Sequence, residues 1–214
     1  MKNNFDLTEL KSLKNINKTN NTRISTCTEY VNSQDIQISN IKYLEDKYNI
    51  YNTCYVTNLS NINTYINLVE LNFISNRNLD DNSINQLINL EKLILPKNKL
   101  ITNKSICNLN KLKHLDLSSN TNINNKSLIN KNDIEYVKLI FNKKISDYAF
   151  INSTKLKYLN LGYNNNRNLK LNFIKNNKNL NELILFKKKN LSDDIIKLIK
   201  NIKKANCYQL NIFN

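Results

Sequence analysis

His114, Asp116 and Ser118 are the residues whose types most invite a catalytic reading. His114 is the sole histidine of the 214-residue chain, and alternate residues of an extended strand share a face, so the three can line up. Such a trio is the raw material of nucleophilic hydrolysis. It also needs donors for an oxyanion and a buried carboxylate to orient the base, and an open strand surface supplies neither. The remaining reactive side chains are Cys27, Cys54, Cys107 and Cys207. They are widely separated, with no C-x-x-C pair, so metal ligation is not expected. With a single glycine, Gly162, the chain has neither a phosphate-cradling P-loop nor a dinucleotide fingerprint. No enzyme activity and no cofactor are expected.

The element that would carry all three candidates is a short strand inside a repeat. The stretch LEKLILPKNKLITNKSICNLNKLKHLDLSSN contains one phrase twice. Leu90, Leu93, Leu95 and Asn98 read L-x-x-L-x-L-x-x-N, and Leu112, Leu115, Leu117 and Asn120 repeat it 22 positions later. Leu68, Leu71, Phe73 and Asn76 precede them in the same step. Ile134, Val137, Leu139 and Asn142 follow, then Leu156, Leu159, Leu161 and Asn164. A sixth copy, Leu180, Leu183 and Leu185, comes after 24 residues and has Lys188 where Asn is expected. These residues resemble the leucine-rich repeat family. The spacing is most similar to the 22-residue class found in an intracellular regulator of protein phosphatase 1 and in bacterial internalins.

The L-x-L centre alternates with period two and suits a strand, and apolar residues at three-residue steps (Ile106 and Leu109 before Leu112) suit a helical or 3₁₀ return. One such unit cannot bury its own apolar face, whereas stacked parallel copies share one core. The expected fold is therefore an α/β solenoid, a leucine-rich repeat arch with a parallel concave sheet. Candidate strands are Glu70–Phe73, Lys92–Leu95, His114–Leu117, Tyr136–Leu139, Tyr158–Leu161 and Glu182–Leu185. An inward amide carries two donors and an acceptor. Asn76, Asn98, Asn120, Asn142 and Asn164 are thus expected to pair the turn backbone as a structural ladder, with a looser last turn at Lys188.

Residues 1–45 match the repeat poorly and are assigned to an N-terminal cap or degenerate repeats. Leu7, Leu10, Leu13 and Ile16 suggest a short amphipathic helix there, and Ile36, Ile38, Ile41 and Leu44 an irregular unit. Residues 46–190 form the repeats, beginning with an imperfect copy at Cys54, Val56, Leu59 and Ile62. Residues 191–214 supply a C-terminal helix and a degenerate capping repeat. Ser192 is the expected N-cap, Ile195, Ile196, Leu198, Ile199 and Ile202 the buried face, and Cys207 a core position of a last strand. A cap makes physical sense because the ends of a solenoid expose an open edge and core.

Asn is roughly a fifth of the residues, well above ordinary usage. With abundant Lys and Ile and only three Arg, this looks like translation of a very AT-rich genome, similar to proteins of amoeba-infecting giant viruses, slime moulds or malaria parasites. The formal charge is +15, which raises nucleic acid as a partner class. The scarcity of Arg, the better phosphate ligand, disfavours it. No apolar run approaches the length of a membrane span, and the N-terminus lacks the apolar core of a secretory signal. The expected location is cytoplasmic or otherwise intracellular, host cytoplasm for a viral protein, with reduced cysteines.

The family resemblance implies a protein partner on the concave face, met by the variable positions between core residues. Three successive repeats place Tyr136, Ile140, Phe141, Tyr158, Tyr163, Ile184 and Phe186 at such positions. They are the expected partner-binding residues, because aromatic side chains freeze few rotamers and Tyr adds a hydroxyl. The function read from this is a non-catalytic protein–protein interaction module. The alternatives are a substrate-recognition adaptor of a ubiquitin ligase, for which the N-terminal region lacks the helical pattern, and a basic nucleic-acid-associated protein.

Overall fold

The computed structural model describes residues 22–25, 41–45, 62–73, 76–186 and 191–208. Among these, nine strands form one sheet in strictly sequential order, all neighbours parallel. They are β1 (Thr22–Ser25), β2 (Ile41–Glu45), β3 (Glu70–Asn72), β4 (Lys92–Ile94), β5 (His114–Asp116), β6 (Tyr136–Lys138), β7 (Tyr158–Asn160), β8 (Glu182–Phe186) and β9 (Lys204–Tyr208). Sequential order in a parallel sheet is the mark of a solenoid, because every strand pairs only with the strands of the adjacent turns. The fold is a leucine-rich repeat arch.

The register follows from the repeat. Leu71 pairs with Leu93, Leu93 with Leu115, Leu115 with Val137, Val137 with Leu159, and Leu159 with Leu183. All six are 0% exposed. A slip of one residue would turn this whole apolar set to solvent, so the pleat and the hydrophobic pattern specify one alignment. The inner strands are one residue shorter than the sequence suggested. Phe73, Leu95, Leu117, Leu139 and Leu161 lie just past them but remain buried, as the chain bends inward there.

Short returns cover the other side of the core. They comprise α1 (Asp81–Ile84), α2 (Asn103–Asn108), 3₁₀ turns at Ile62–Thr64, Asn125–Ser127, Asp147–Phe150 and Asn172–Asn176, and α3 (Asp193–Lys200). None is long enough to be stable alone; the shorter ones hold because Ile84, Ile106, Leu128, Phe150 and Ile174 are buried against the core. In α3, Ile195 and Ile199 are buried, and Ile196, Leu198 and Ile202 pack at its margin. Ser192 occupies the N-cap position, but its hydroxyl accepts no backbone bond and instead donates to Asp194. Asp194 accepts both bonds at once, the Ser192 hydroxyl on Oδ1 and Lys175 Nζ at 2.6 Å from Oδ2, and together they hold its carboxyl down to about 2.

The turns after the strands are laced by asparagines. Asn98 donates to the carbonyls of Leu79 (2.7 Å) and Asn76 (3.2 Å), while its oxygen accepts from the N–H of Leu100 (2.9 Å) and Ile101 (3.0 Å). Asn120 donates to Ile101 (2.8 Å) and accepts from Asn122 and Ile123, and Asn142 donates to Asn120 and Ile123. Asn164 donates to Ile145 at 3.1 Å. Asn76 differs: it is half-buried, and its oxygen accepts from Asn78 and Leu79.

A second ladder, not anticipated, runs along the returns. Asp81 accepts from the N–H and hydroxyl of Thr102 and from Ser105 Oγ, and Asn103 from the N–H of Asn124 and Ser127 Oγ. Asn125 pairs with the N–H and hydroxyl of Ser146, and Asp147 accepts from the N–H of Lys170, Leu171 and Asn172. Each of these side chains thus satisfies the orphan donors that open the next return.

The expected helix near Leu7 to Ile16, Ile36 and Ile38, the copy at Cys54, Val56 and Leu59, and Lys188 lie outside the described residues.

Candidate binding surface

Side chains that alternate with the core residues form columns across the sheet, one per strand position. In the column at the first residue of each strand, Lys92 Nζ lies 2.7 Å from Glu70 Oε1. The His114 ring then stacks on Tyr136 (centroids 3.8 Å apart, 14° between planes), and Tyr136 on Tyr158 (4.0 Å, 5°). Stacking removes water from His114, and Lys92 beside it disfavours a second positive charge. Together they push the imidazole down to about 4. Burial and a hydrogen bond with Tyr158 push the Tyr136 phenol up. Both rings are therefore neutral at neutral pH.

The next column is polar. Lys138 Nζ lies 3.2 Å from Asp116 Oδ2, and Asp116 Oδ1 also accepts the Ser118 N–H at 3.0 Å. Asn160 donates to the Tyr158 hydroxyl at 3.3 Å and accepts the Gly162 N–H at 3.0 Å. Ile184 continues the column beside Asn160. Asp116 is thus engaged by Lys138 and Ser118, the His114 ring by Tyr136, and the buried Ser118 hydroxyl has no partner. The three share a strand face, but no base-to-nucleophile hydrogen bond joins them, and the arrangement has no means to activate a hydroxyl.

The third set lies where the chain leaves the strands. Phe141 stacks on Tyr163 (4.6 Å, 12°), and Tyr163 on Phe186 (5.0 Å, 14°). Phe141 is 48% and Tyr163 40% exposed, and Ile140 and Phe186 are half-buried. The turn itself demands a left-handed residue: Lys97, Ser119, Phe141 and Tyr163 have φ of 66°, 65°, 64° and 60°. A side chain costs about 1–2 kcal/mol there relative to glycine. Three of the turns are tied down by N–H donation across the stack, from Lys97 to Ser118, Ser119 to Ile140 and Phe141 to Gly162, at 2.7–2.8 Å. Gly162 has its own reason: a Cβ would sit 2.8 Å from Phe186 Cδ2, so only glycine lets that ring lie over the strand end.

Five of the seven expected residues form two aromatic stacks, Tyr136–Tyr158 and Phe141–Tyr163–Phe186; Ile140 precedes Phe141 in its turn, and Ile184 stands in the middle column, which Asp116, Lys138 and Asn160 otherwise make polar. His114 was not among the seven, yet its ring is the first of the inner stack; its place in the same column as Tyr136 is the signal that could have found it.

No protein-family model and no curated protein sequence matches the chain. Among solved structures it is similar to an internalin (inlF) from Listeria monocytogenes, with a TM-score of 0.54 and 20% identity. The alignment covers 80% of this chain and 55% of the internalin, so the chain spans about half the length of that protein. The likeness is one of fold. No helix among the described residues is long and apolar enough to cross a membrane.

Proposed function

We propose that this chain is a non-catalytic interaction module that binds a protein partner on the concave sheet. The observation that carries the reading is the pair of aromatic stacks, Tyr136–Tyr158 and Phe141–Tyr163–Phe186, presented to solvent on the face opposite the core. Rings stacked on one another are already ordered, so a partner gains their apolar area without freezing them. Ile140 and Ile184 supply aliphatic surface beside the stacks, and Tyr158 offers a hydroxyl.

The asparagines from Asn76 to Asn164 are assigned to holding the turns that present this face. The N-terminal residues 1–45 and the C-terminal residues 191–214 are assigned to closing the ends of the repeat array at 46–190. The test is a Tyr136→Ala/Phe186→Ala double variant, with unchanged unfolding midpoint as the control for folding, measured against a captured partner. Affinity is expected to fall at least tenfold, since aromatic anchors commonly contribute 2 kcal/mol or more, roughly. A folded double variant with full affinity removes the proposal.

A further inference from the structure

The two edges of the sheet are electrostatically unlike. On the edge where the chain enters the strands, three cations are matched across neighbouring turns, Lys113 with Glu91 (2.9 Å), Lys155 with Asp133 (2.5 Å) and Lys157 with Glu135 (2.7 Å), while Lys111 donates to the neutral Asn89 and Lys178 has no ion pair among the described residues. On the edge where it leaves them, Lys97, Lys99, Lys143, Lys144, Arg167 and Lys170 are all exposed, and none is in an ion pair among the described residues. Three turns carry them, 96–102, 140–146 and 162–171; neither these nor the intervening turn 118–124, which has no Lys or Arg, contains Asp or Glu. The acids that begin the adjoining returns lie against this edge but are held by neutral hydrogen-bond donors and not by its cations. Asp80 and Asp81 accept from Ser83 and from Thr102 and Ser105, and Asp147 accepts three backbone N–H groups. The Phe141–Tyr163–Phe186 stack lies at the start of this same basic edge.

We infer that the exit edge is a docking site for an acidic protein segment that carries an apolar anchor, its carboxylates meeting the lysines and its anchor lying on the Phe141–Tyr163–Phe186 stack. The inference rests on the concave-face reading above and adds the chemistry of the partner. Charge complementarity commits the edge to an anion, because an unmatched row of cations steers acidic partners and repels basic ones. The apolar component commits it to protein. The ring faces within the stack are spent on each other, which leaves no slot between them for a base, while Ile140 and Phe186 give an aliphatic or aromatic anchor something to cover. From Lys97, after β4, to Arg167, after β7, is three strand spacings of about 4.8 Å, and an extended segment at about 3.3 Å per residue crosses it in four or five residues.

The experiment uses the full chain and four fluorescein-labelled probes. These are a glutamate-rich peptide with a central Phe-Leu anchor, the same peptide with lysine for glutamate, the same acidic peptide with serines for the anchor, and single-stranded oligothymidylate. Two variants of equal net charge are compared: Lys97→Gln/Lys143→Gln/Lys144→Gln/Arg167→Gln on the edge, and Lys104→Gln/Lys111→Gln/Lys126→Gln/Lys178→Gln elsewhere, all exposed positions. The anchored acidic peptide is expected to bind more tightly than the other three probes. The edge variant is expected to weaken it about tenfold or more, with a loss of salt dependence, and the control variant by less than about twofold. Equal weakening by both variants, or no binding of the anchored acidic peptide, overturns the inference. So does tighter binding of oligothymidylate through the same edge, which would assign the lysines to phosphate. In each of those cases the Tyr136→Ala/Phe186→Ala measurement still decides separately whether the concave face binds protein.

Discussion

Asn120→Ala isolates the force that keeps the turns closed. Its side chain makes three bonds, donating to the Ile101 carbonyl at 2.8 Å and accepting from the N–H of Asn122 (2.8 Å) and Ile123 (3.2 Å). Asn120 is 0% exposed, and the bonds to Ile101 and Ile123 lie in buried surroundings, whereas the Asn122 N–H is near solvent and can take water instead. Two stranded buried groups at about 1–3 kcal/mol each predict a loss of about 2–6 kcal/mol. In a chain of this size that lowers the melting temperature by about 2–4 °C for every kcal/mol. Asn76→Ala is the internal control: half-buried, with its bonds to Asn78 and Leu79 close to solvent, it should cost only about 0.5–1.5 kcal/mol. Asn120→Asp keeps the acceptor and loses the donor, placing a carboxylate against a carbonyl in a dry site. Its pKa in the fold is then raised above about 3.9, so its stability is greatest below that value and falls as pH rises through the folded pKa. Urea unfolding followed by circular dichroism gives all three numbers. An Asn120→Ala cost under about 1 kcal/mol, or one no larger than that of Asn76→Ala, would refute the reasoning.

Three further outcomes follow from single contacts. His114, held down to about 4, should remain neutral in an NMR titration from pH 8 to 5; because the unfolded imidazole binds its proton near 6.5, stability should rise with pH between those two values and level off above, and a His114 midpoint near 6.5 contradicts the stack. Lys131 is buried where equivalent turns carry Leu87 and Leu109, its ammonium donates to the Cys107 carbonyl at 3.0 Å, and burial lowers its pKa. The unfolded state therefore holds the extra proton, and stability should increase as pH rises towards about 10.4; Lys131→Leu should flatten that slope and add about 1–2 kcal/mol in urea unfolding. Gly162→Ala should cost about 1–3 kcal/mol by forcing its new Cβ against the Phe186 ring, and the cost should vanish in a Phe186→Ala background, a cycle read by thermal unfolding.

The architecture was legible because the leucines recur at a step long enough to be improbable by chance, and because register in a half-buried sheet is decided by which residues are apolar. The asparagine turns were legible for a similar reason: Asn98, Asn120 and Asn142 stand at one fixed place in the phrase. The second ladder was hidden. Asp81, Asn103, Asn125 and Asp147 also advance by 22, but they are split between two residue types and are camouflaged by an Asn-rich background. Lys131 stands at the repeat position of Leu87 and Leu109, so the 22-residue step marks it as a core position; what the sequence hides is its acceptor, a carbonyl one turn away that leaves no trace in side-chain identity. Ser192 has the right type and place for a cap, yet its hydroxyl donates to Asp194, which also meets Lys175, remote in sequence. The left-handed turns at Phe141 and Tyr163 were equally invisible, because neither is a residue that favours that conformation. Site columns could be listed from the repeat; whether their rings stack on each other or splay apart depends on side-chain packing that the repeat does not encode.

The claim that matters most is that a protein partner lies on the Phe141–Tyr163–Phe186 stack. A benzophenone-bearing residue installed at position 163 probes this directly, with the same group at position 148, an exposed tyrosine on the opposite side, as the reference. On irradiation in the native cell, a discrete cross-linked protein is predicted from 163 and none from 148. Equal cross-linking from both positions, or from 148 alone, would contradict the account.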